Sequence, residues 1–403
     1  MYNLILKLAF NNAFLRLSRT VLVIIMIAVS MAMMLSLQGI YDGMTLSMIE
    51  KTKRSDCGEV SIYAKGYRLS KDIQKSINNT SQIVDKLQKM PAVDAVVSRI
   101  KAEGLSATAR KSAFSSIIGI NLAAEERFGV FGEFLKSGTL TLGKRAVLVG
   151  SQLAKSLKIK IGSKLIFSTQ DSSGEINSIA LKVKGIMQTS NIALDASALF
   201  VDKITLQKFL GLDEDVCTQI ALRSDSKSLV ESLKKEYTMF DVKSFLELYP
   251  MIKQMKDMMV IFTSITFSIV MLVVFIGIMG VMYVSILDRI REFGVMKSIG
   301  LSYRLIRTQI FLEALFVGLF GYLLGAILGY VALSCLMHFG LNLSAFADGM
   351  ERFGLDTIIY ADIKFSYFSS TFLAIIGASL LSVLLPLKKI KNMNVIEVTK
   401  VQT

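Results

Sequence analysis

Four long apolar blocks, with the polar stretch 41–257 between the first and the rest, restrict this chain to few architectures. The first block, Val21–Ile40, reads VLVIIMIAVSMAMMLSLQGI and carries no charge. At about 1.5 Å of helix rise per residue it crosses roughly 30 Å, one hydrocarbon core. A cleaved leader has a shorter apolar region and a small-x-small cleavage site. Neither is seen here, so a retained anchor is expected. The second block, Met258–Leu287, is longer than the hydrocarbon needs and is expected to tilt or to extend beyond it. The third runs about Ile310–Met337. The fourth runs about Tyr367–Leu387 and is expected to stop at Pro386, ahead of Lys388, Lys389 and Lys391.

Basic residues in the short flanks orient the spans. Lys7, Arg16 and Arg19 precede the first span without an acid. Arg289, Arg291, Lys297, Arg304 and Arg307 stand between the second and third, against Asp288 and Glu292. Lysines outnumber Glu397 after the fourth. Between the third and fourth, Asp348, Glu351, Asp356 and Asp362 outnumber Arg352 and Lys364. All the flanks agree on one expectation: both termini and loop 288–307 are cytoplasmic, whereas 41–257 and 338–366 lie outside.

The net charge of +14 over 403 residues is largely explained by this topology. No basic cluster interleaved with aromatics, no zinc-ligand spacing and no RNA-binding signature is present, so nucleic acid is not an expected partner. The single histidine, His338, excludes Ser-His-Asp and Cys-His catalysis and His-rich metal sites. GxSxG, HExxH and the phosphate-binding GxxxxGK[ST] do not occur. The chain is therefore not expected to be an enzyme, to hold a metal, or to hydrolyse ATP by itself. Cys57, Cys217 and Cys335 form no CxxC. A Cys57–Cys217 disulfide is left open, because sequence does not show proximity.

Stretch 41–257 reads as an α+β domain, of one or two subdomains. Short helices are expected at Ser81–Lys89 and Ser226–Tyr237. Strands are expected at Val93–Val97, Ser115–Ile120, Lys164–Thr169, Ile179–Val183 and Ala198–Val201. Ala146–Leu157 reads as strand, turn and helix with Ser151 as N-cap. A helical stalk, Val242–Lys256, is expected to lead into the second span.

Four features of the spans and their flanks bear on mechanism. Glu313 alone interrupts an apolar run, either as a relay or as an interfacial acid paired with a nearby Lys or Arg. Ala314, Gly318, Gly321, Gly325, Gly329 and Ala332 fall within roughly 80° of one another on a helix. This small-residue face admits close approach of the second and fourth spans, or of a second subunit. Methionines crowd the first two spans and their flanks, among them Met26, Met33, Met34, Met258 and Met259. They suit either gap-filling or contact with acyl chains. The loop DRIREFGVMKSIGLSYRLIR (288–307) places Ile290, Phe293, Met296 and Ile299 three residues apart. A short interfacial helix ending near Gly300 is expected, with Ser302 capping the next.

At this loop the sequence resembles a known family. REFGVMKSIGLSYRLIRTQIFLEALFVGLFGYLLG (Arg291–Gly325) is similar to the signature of MacB/FtsX-type ABC transporter permeases. Leu6–Ile25 resembles the family's N-terminal interfacial helix entering span one. Val147–Leu165 resembles an outer-domain segment. Leu385–Lys400 resembles the terminal motif, with Ile390, Asn394 and Val398 departing from it. The resemblance implies a type VII architecture of four transmembrane helices with a MacB-like periplasmic α+β core between helices 1 and 2. The implied division is interfacial helix 1–20, span 21–40, extracytoplasmic domain and stalk 41–257, span 258–287, coupling loop 288–307, span 308–337, outer loop 338–366, span 367–387 and cytoplasmic tail 388–403. It further implies an inner-membrane location, a second permease subunit, identical or related, and a separate ATPase dimer that holds ATP and Mg. Arg291, Glu292, Gly294, Lys297 and Gly300 match the coupling motif. ATP-driven closure would then move spans one and two and transmit force outward. Size and layout most resemble lipoprotein-releasing permeases, which implies a lipoprotein substrate and a periplasmic carrier. A MacB-like exporter of peptides or antibiotics and an FtsX-like regulator of cell-wall hydrolases are the alternatives.

Overall fold

A computed structural model describes residues 2–14, 17–189, 191–226, 228–346, 349–350 and 356–391. The chain forms two compact units, Met1–Met44 with Lys256–Leu343 and Ile358–Thr403, and Thr45–Met255 with Ser344–Thr357.

The first unit is helical. α1 (Tyr2–Ala13) precedes α2 (Leu17–Thr52), the helix of the first span. Along the whole chain α3 is Tyr67–Ser70, α4 Thr80–Gln88, α5 Leu122–Gly129, α6 Ser151–Leu157, α7 Ile192–Ser197, α8 Lys203–Leu210, α9 Leu229–Glu236 and α10 Phe245–Leu248. α11 (Pro250–Asp288) and α13 (Tyr303–Phe339) carry the second and third spans, with α12 (Ile290–Ser298) between them. α14 (Phe365–Ser382) carries the fourth. The 36 residues of α2 and 39 of α11 make helices of about 54 and 58 Å, well beyond a hydrocarbon core of about 30 Å. The four are transmembrane helices by length and apolarity. One core joins them, built on Ile27, Met31 and Leu35 of α2, Ile278 and Met282 of α11, Ile310 and Ala314 of α13, and Ile375 of α14.

Pro386 does not end the fourth helical stretch. α14 closes at Ser382, and a short helix, Leu384–Lys391, begins beyond it. Pro386 lies in the first turn of that helix, where a missing N–H breaks no intrahelical bond. The end of the terminal motif, including Asn394 and Val398, lies outside the described residues, as do Arg16, Asp348, Glu351 and Arg352.

The second unit is an α+β domain built on one ten-stranded sheet. Its strands are β1 Val60–Ala64, β3 Ala95–Ala107, β4 Ser112–Ile120, β5 Leu135–Gly138, β6 Ala146–Gly150, β7 Lys164–Gln170, β8 Ile176–Met187, β9 Ala198–Asp202, β11 Gln219–Arg223 and β12 Phe240–Ser244. β2 (Ile77–Asn78) and β10 (Val216–Cys217) form a separate small pair. The order is β12-β1-β11-β3-β4-β9-β6-β8-β5, with β7 pairing β3 and β8. β3 spans both halves: its residues 95–99 pair with β11 and its residues 100–107 with β4. Each half has its own apolar cluster, one around Ile62, Leu87, Ile220 and Leu233, the other around Ile117, Val149, Phe167 and Leu199.

The expected strands and helices of this domain are present with shifted bounds. Ser151 is the first helical residue of α6 rather than its N-cap; Gly150 occupies the cap and supplies no side chain. The expected helical stalk over Val242–Lys256 begins as strand. Val242–Ser244 pair with β1, because alternation around buried Val242 fits a sheet edge. A capping box of Ser244 and Glu247 then opens α10, and α11 starts only at Pro250. Cys57 and Cys217 are free thiols buried in different apolar clusters.

Candidate coupling helix and helix seam

The loop after the second span is a helix held by a buried ion pair. Arg289 occupies the N-cap of α12. Its Nη1 donates to Glu313 Oε1 at 3.0 Å and its Nε to Glu292 Oε2 at 2.9 Å. Glu313 is 2% exposed and also accepts from Gln309 Nε2 at 3.1 Å. The guanidinium lies 5.2 Å from the ring centre of Phe293, a residue wholly buried in the helical core. Glu313 is thus the paired acid of the two readings of the sequence, with Arg289 as partner, one helix back in the chain.

The motif residues fall into distinct places. Arg291 and Glu292 are exposed on α12. Gly294 is buried beside Phe293, and its carbonyl accepts from Ser298 Oγ at 3.0 Å. Lys297 lies in the last turn, half-buried. Gly300 has φ +89°, a left-handed turn that glycine adopts without strain and that redirects the chain into α13. Ser302 stands at the N-cap position of α13 with an extended backbone but makes no capping bond through its side chain. Sequence reasoning missed Val295 and grouped Ile299 with the apolar stripe; the two are 53% and 74% exposed. With Arg291 they recur every four residues, so Arg291 and Val295 share one face of α12 that the C-cap residue Ile299 continues. The three-residue apolar recurrence hid this: Phe293 is buried, Met296 half-buried, and Ile299 has rotated out to solvent. Arg19 at the start of α2 meets Asp288 at the end of α11, Nη1 to Oδ2, at 2.7 Å.

The small-residue face of α13 is filled chiefly by α2, a different neighbour from the second and fourth spans expected. A Cβ on Gly321 would stand 2.8 Å from Ile27 Cβ, on Gly325 2.9 Å from Met31 Cβ, and on Gly329 2.5 Å from Leu35 Cδ1. Ile27, Met31 and Leu35 are themselves spaced by four, so two helices mesh along matching stripes. The fourth span takes only Gly318, where a Cβ would meet Ser379 Oγ at 2.1 Å. Span one carries no glycine opposite these positions, so its partner could not be read from its own sequence.

The methionines divide. Met34 is 1% exposed and lies within the protein. Met26 packs where Gly277 of α11 has no side chain. Met33 and Met258 are exposed, at 65% and 56%, and Met259 is half-buried. Of these five, Met33 and Met258 are the most open to contact from outside the chain. Among the described residues no group of His, Cys, Asp or Glu has metal-binding geometry.

Residues 20–238 match the family model of the MacB-like periplasmic core domain, and residues 264–395 that of the FtsX-like permease C-terminal. The chain belongs to the MacB/FtsX-type family of ABC transporter permeases. This permease is 26% identical over 356 residues to the macrolide export ATP-binding/permease protein MacB of Escherichia coli, covering 82% of the present chain and 52% of that protein. It is 26% identical over 202 residues to the uncharacterized ABC transporter permease YknZ of Bacillus subtilis, covering 47% of this chain and 49% of that one. The permease therefore spans about half the length of these curated relatives. Among solved structures, the periplasmic region of MacB from Actinobacillus actinomycetemcomitans aligns with a TM-score of 0.32 and 19% identity, over 49% of this chain and 92% of that one. The permease is a multi-pass membrane protein with its periplasmic core between the first two spans.

Proposed function

We propose that this permease is the membrane subunit of an ATP-driven transporter that works by mechanotransmission, with α12 as the element received by an ATPase. The observation carrying this reading is the buried Arg289–Glu313 pair. It ties a nine-residue helix, whose Arg291 and Val295 face outward together with Ile299 at its C-cap, to the third span. Force applied to that exposed face reaches the spans through an ion pair and the buried Phe293 ring rather than through a slack loop. The basic flanks support a cytoplasmic side for α12 and both termini. ATP and Mg are held by the ATPase, as a dimer beside two permease subunits; this chain supplies no nucleotide-binding motif.

For the substrate, extraction of lipoproteins from the inner membrane toward a periplasmic carrier and the outer membrane is the reading favoured. Its support is the apolar outward stripe of the first two spans, Ile25, Val29 and Met33 on α2 and Met258, Ile265 and Ile269 on α11. Such a stripe fits acyl chains in the bilayer. Export of antibiotics or peptides is the second reading, favoured by relatives over 82% of the chain that bear the name macrolide export.

Affinity purification of the permease from its native membrane tests the reading. An ATPase is expected to co-purify, and to be lost on Glu292→Lys or Val295→Asp while the permease stays folded. Absence of any ATPase from the wild-type complex refutes the coupling role. Native mass spectrometry of the same complex decides the substrate: a bound acylated polypeptide supports lipoprotein extraction, and its reproducible absence with a bound small amphiphile supports export.

A further inference from the structure

The outer ends of the first two membrane helices enter the α+β domain at one buried polar cluster. α2 does not end in an ordinary cap. It continues as a π-helical turn, Lys53–Cys57, closed by Gly58 at φ +61°. A Cβ on Gly58 would stand 2.1 Å from Leu222 O of β11, so the chain passes tightly against the sheet there. Wider π turns of this kind are concentrated at functional positions in helices.

Asp56, in that turn, is 8% exposed and is gripped from several directions. Its Oδ1 accepts from Lys101 Nζ. Its Oδ2 accepts from the Tyr249 hydroxyl, on the residue before α11 begins. Its backbone carbonyl accepts from Arg99 Nη1. Arg99, 2% exposed, also forms a two-pronged pair with Glu125 of α5, at 2.5 and 2.6 Å. Burial works against the Arg99 charge, but Glu125 and Asp56 more than offset it and raise the guanidinium above its ordinary value. Tyr249 completes the set by accepting from Asn191 Nδ2 at 2.9 Å. Asn191 caps α7 through Leu194 N.

Arg99 and Lys101 flank the point at which β3 leaves β11 and begins to pair with β4. The cluster therefore gathers the end of α2, the approach to α11, and the one strand shared by both halves of the sheet. Apolar contacts slide, whereas directional bonds to buried charges resist displacement, because any rupture leaves a charge unpaired in low dielectric.

We propose that Asp56, with Tyr249 and Arg99, is the joint that locks the outer ends of both long helices to the α+β domain as one rigid body, so that movement of the helices is delivered to the domain without slack. Asp56 and Tyr249 act as positioning residues. The inference deepens the force-transmission reading above, but its test needs neither ATP nor a substrate.

The experiment is pulsed electron-electron spin resonance on the full chain in lipid nanodiscs, in a Cys335→Ser background diluted with unlabelled chain. Spin labels are placed at exposed positions: Leu46 on α2, Met251 on α11, and Leu69 in the domain. The Leu46–Met251 and Leu46–Leu69 pairs are expected to give single narrow distance distributions. Tyr249→Phe and Asp56→Asn are expected to lose that narrowness in both pairs at temperatures where the protein remains folded. Ser106→Ala, which removes a buried hydroxyl–hydroxyl bond elsewhere in the domain, is the control; it is expected to lower stability and leave both distributions narrow. Rupture confined to Asp56→Asn while Tyr249→Phe stays narrow overturns the role given to Tyr249. Narrow distributions in both variants, or broad ones in the wild type, overturn the joint. A missing ATPase in the purification above refutes the coupling reading and leaves these distance measurements unaffected, so the two failures are told apart.

Discussion

Replacing Arg289 with alanine isolates what the buried ion pair contributes to α12, the candidate coupling helix. Glu313 is 2% exposed, and without Arg289 its remaining partner is the amide of Gln309. Removing one member of a fully buried pair costs about 3–5 kcal/mol, because a charge stays behind unpaired. The Arg289 side chain is 11% exposed and shares its charge with Glu292 at the surface, so about 2–3 kcal/mol is the appropriate range. At about 1.4 kcal/mol per tenfold, local opening of α12 should become roughly 30- to 150-fold more frequent. Hydrogen–deuterium exchange of the α12 backbone in the full chain reads this directly, since Phe293 then anchors the helix without its cation partner. Arg289→Ala should accelerate exchange across residues 293–298 by that factor. The double variant Arg289→Ala/Glu313→Ala removes both charges and should recover most of the protection. Unchanged exchange in the single variant, or a double variant as fast as the single, refutes the claim that the ion pair holds α12.

Gly325→Val places a branched side chain where Met31 Cβ already lies 2.9 Å from an ideal Cβ. It should lower unfolding stability in detergent by about 1–3 kcal/mol, whereas Ile327→Val on the exposed side of the same helix should be nearly neutral. Equal effects at both positions would show that α2 does not depend on this seam. In the outer domain, burial would raise the Glu247 carboxyl, but the Ser244 N–H at 2.8 Å and Lys234 at 2.9 Å outweigh it and hold the pKa at about 2. A depressed carboxylate stabilises fully above its unfolded value near 4.5, and the contribution fades as pH falls through about 2. Exchange protection of the Ser244 amide, corrected for intrinsic rate, should follow that window and become pH-independent in Glu247→Gln.

Much of the candidate site was legible before any coordinates. The candidate coupling helix could be located because Gly300 follows its end and because Arg291, Glu292, Gly294, Lys297 and Gly300 form a spaced signature. Its outward face could not. Val295 and Ile299 are apolar, and an apolar residue on a short helix reads as buried until the neighbouring helices are in place. Arg289 was visible as one basic flank residue among several; that it reaches Glu313, and so holds the helix, depends on how α12 folds back on α13.

The sequence by itself determined the four spans, the domain inserted between the first two, and the small-residue stripe of α13. These follow from local quantities: the length of uncharged apolar runs, the flanking charge, and the 3.6-residue helical repeat. Tertiary structure alone decided which helix fills that stripe, which methionines stay exposed, and how Asp56, Arg99 and Tyr249 come together from three distant segments. Such contacts are set by the packing of whole elements, so no window along the chain contains them. A glycine shows that something approaches closely, and only the folded core shows that it is Ile27, Met31 and Leu35.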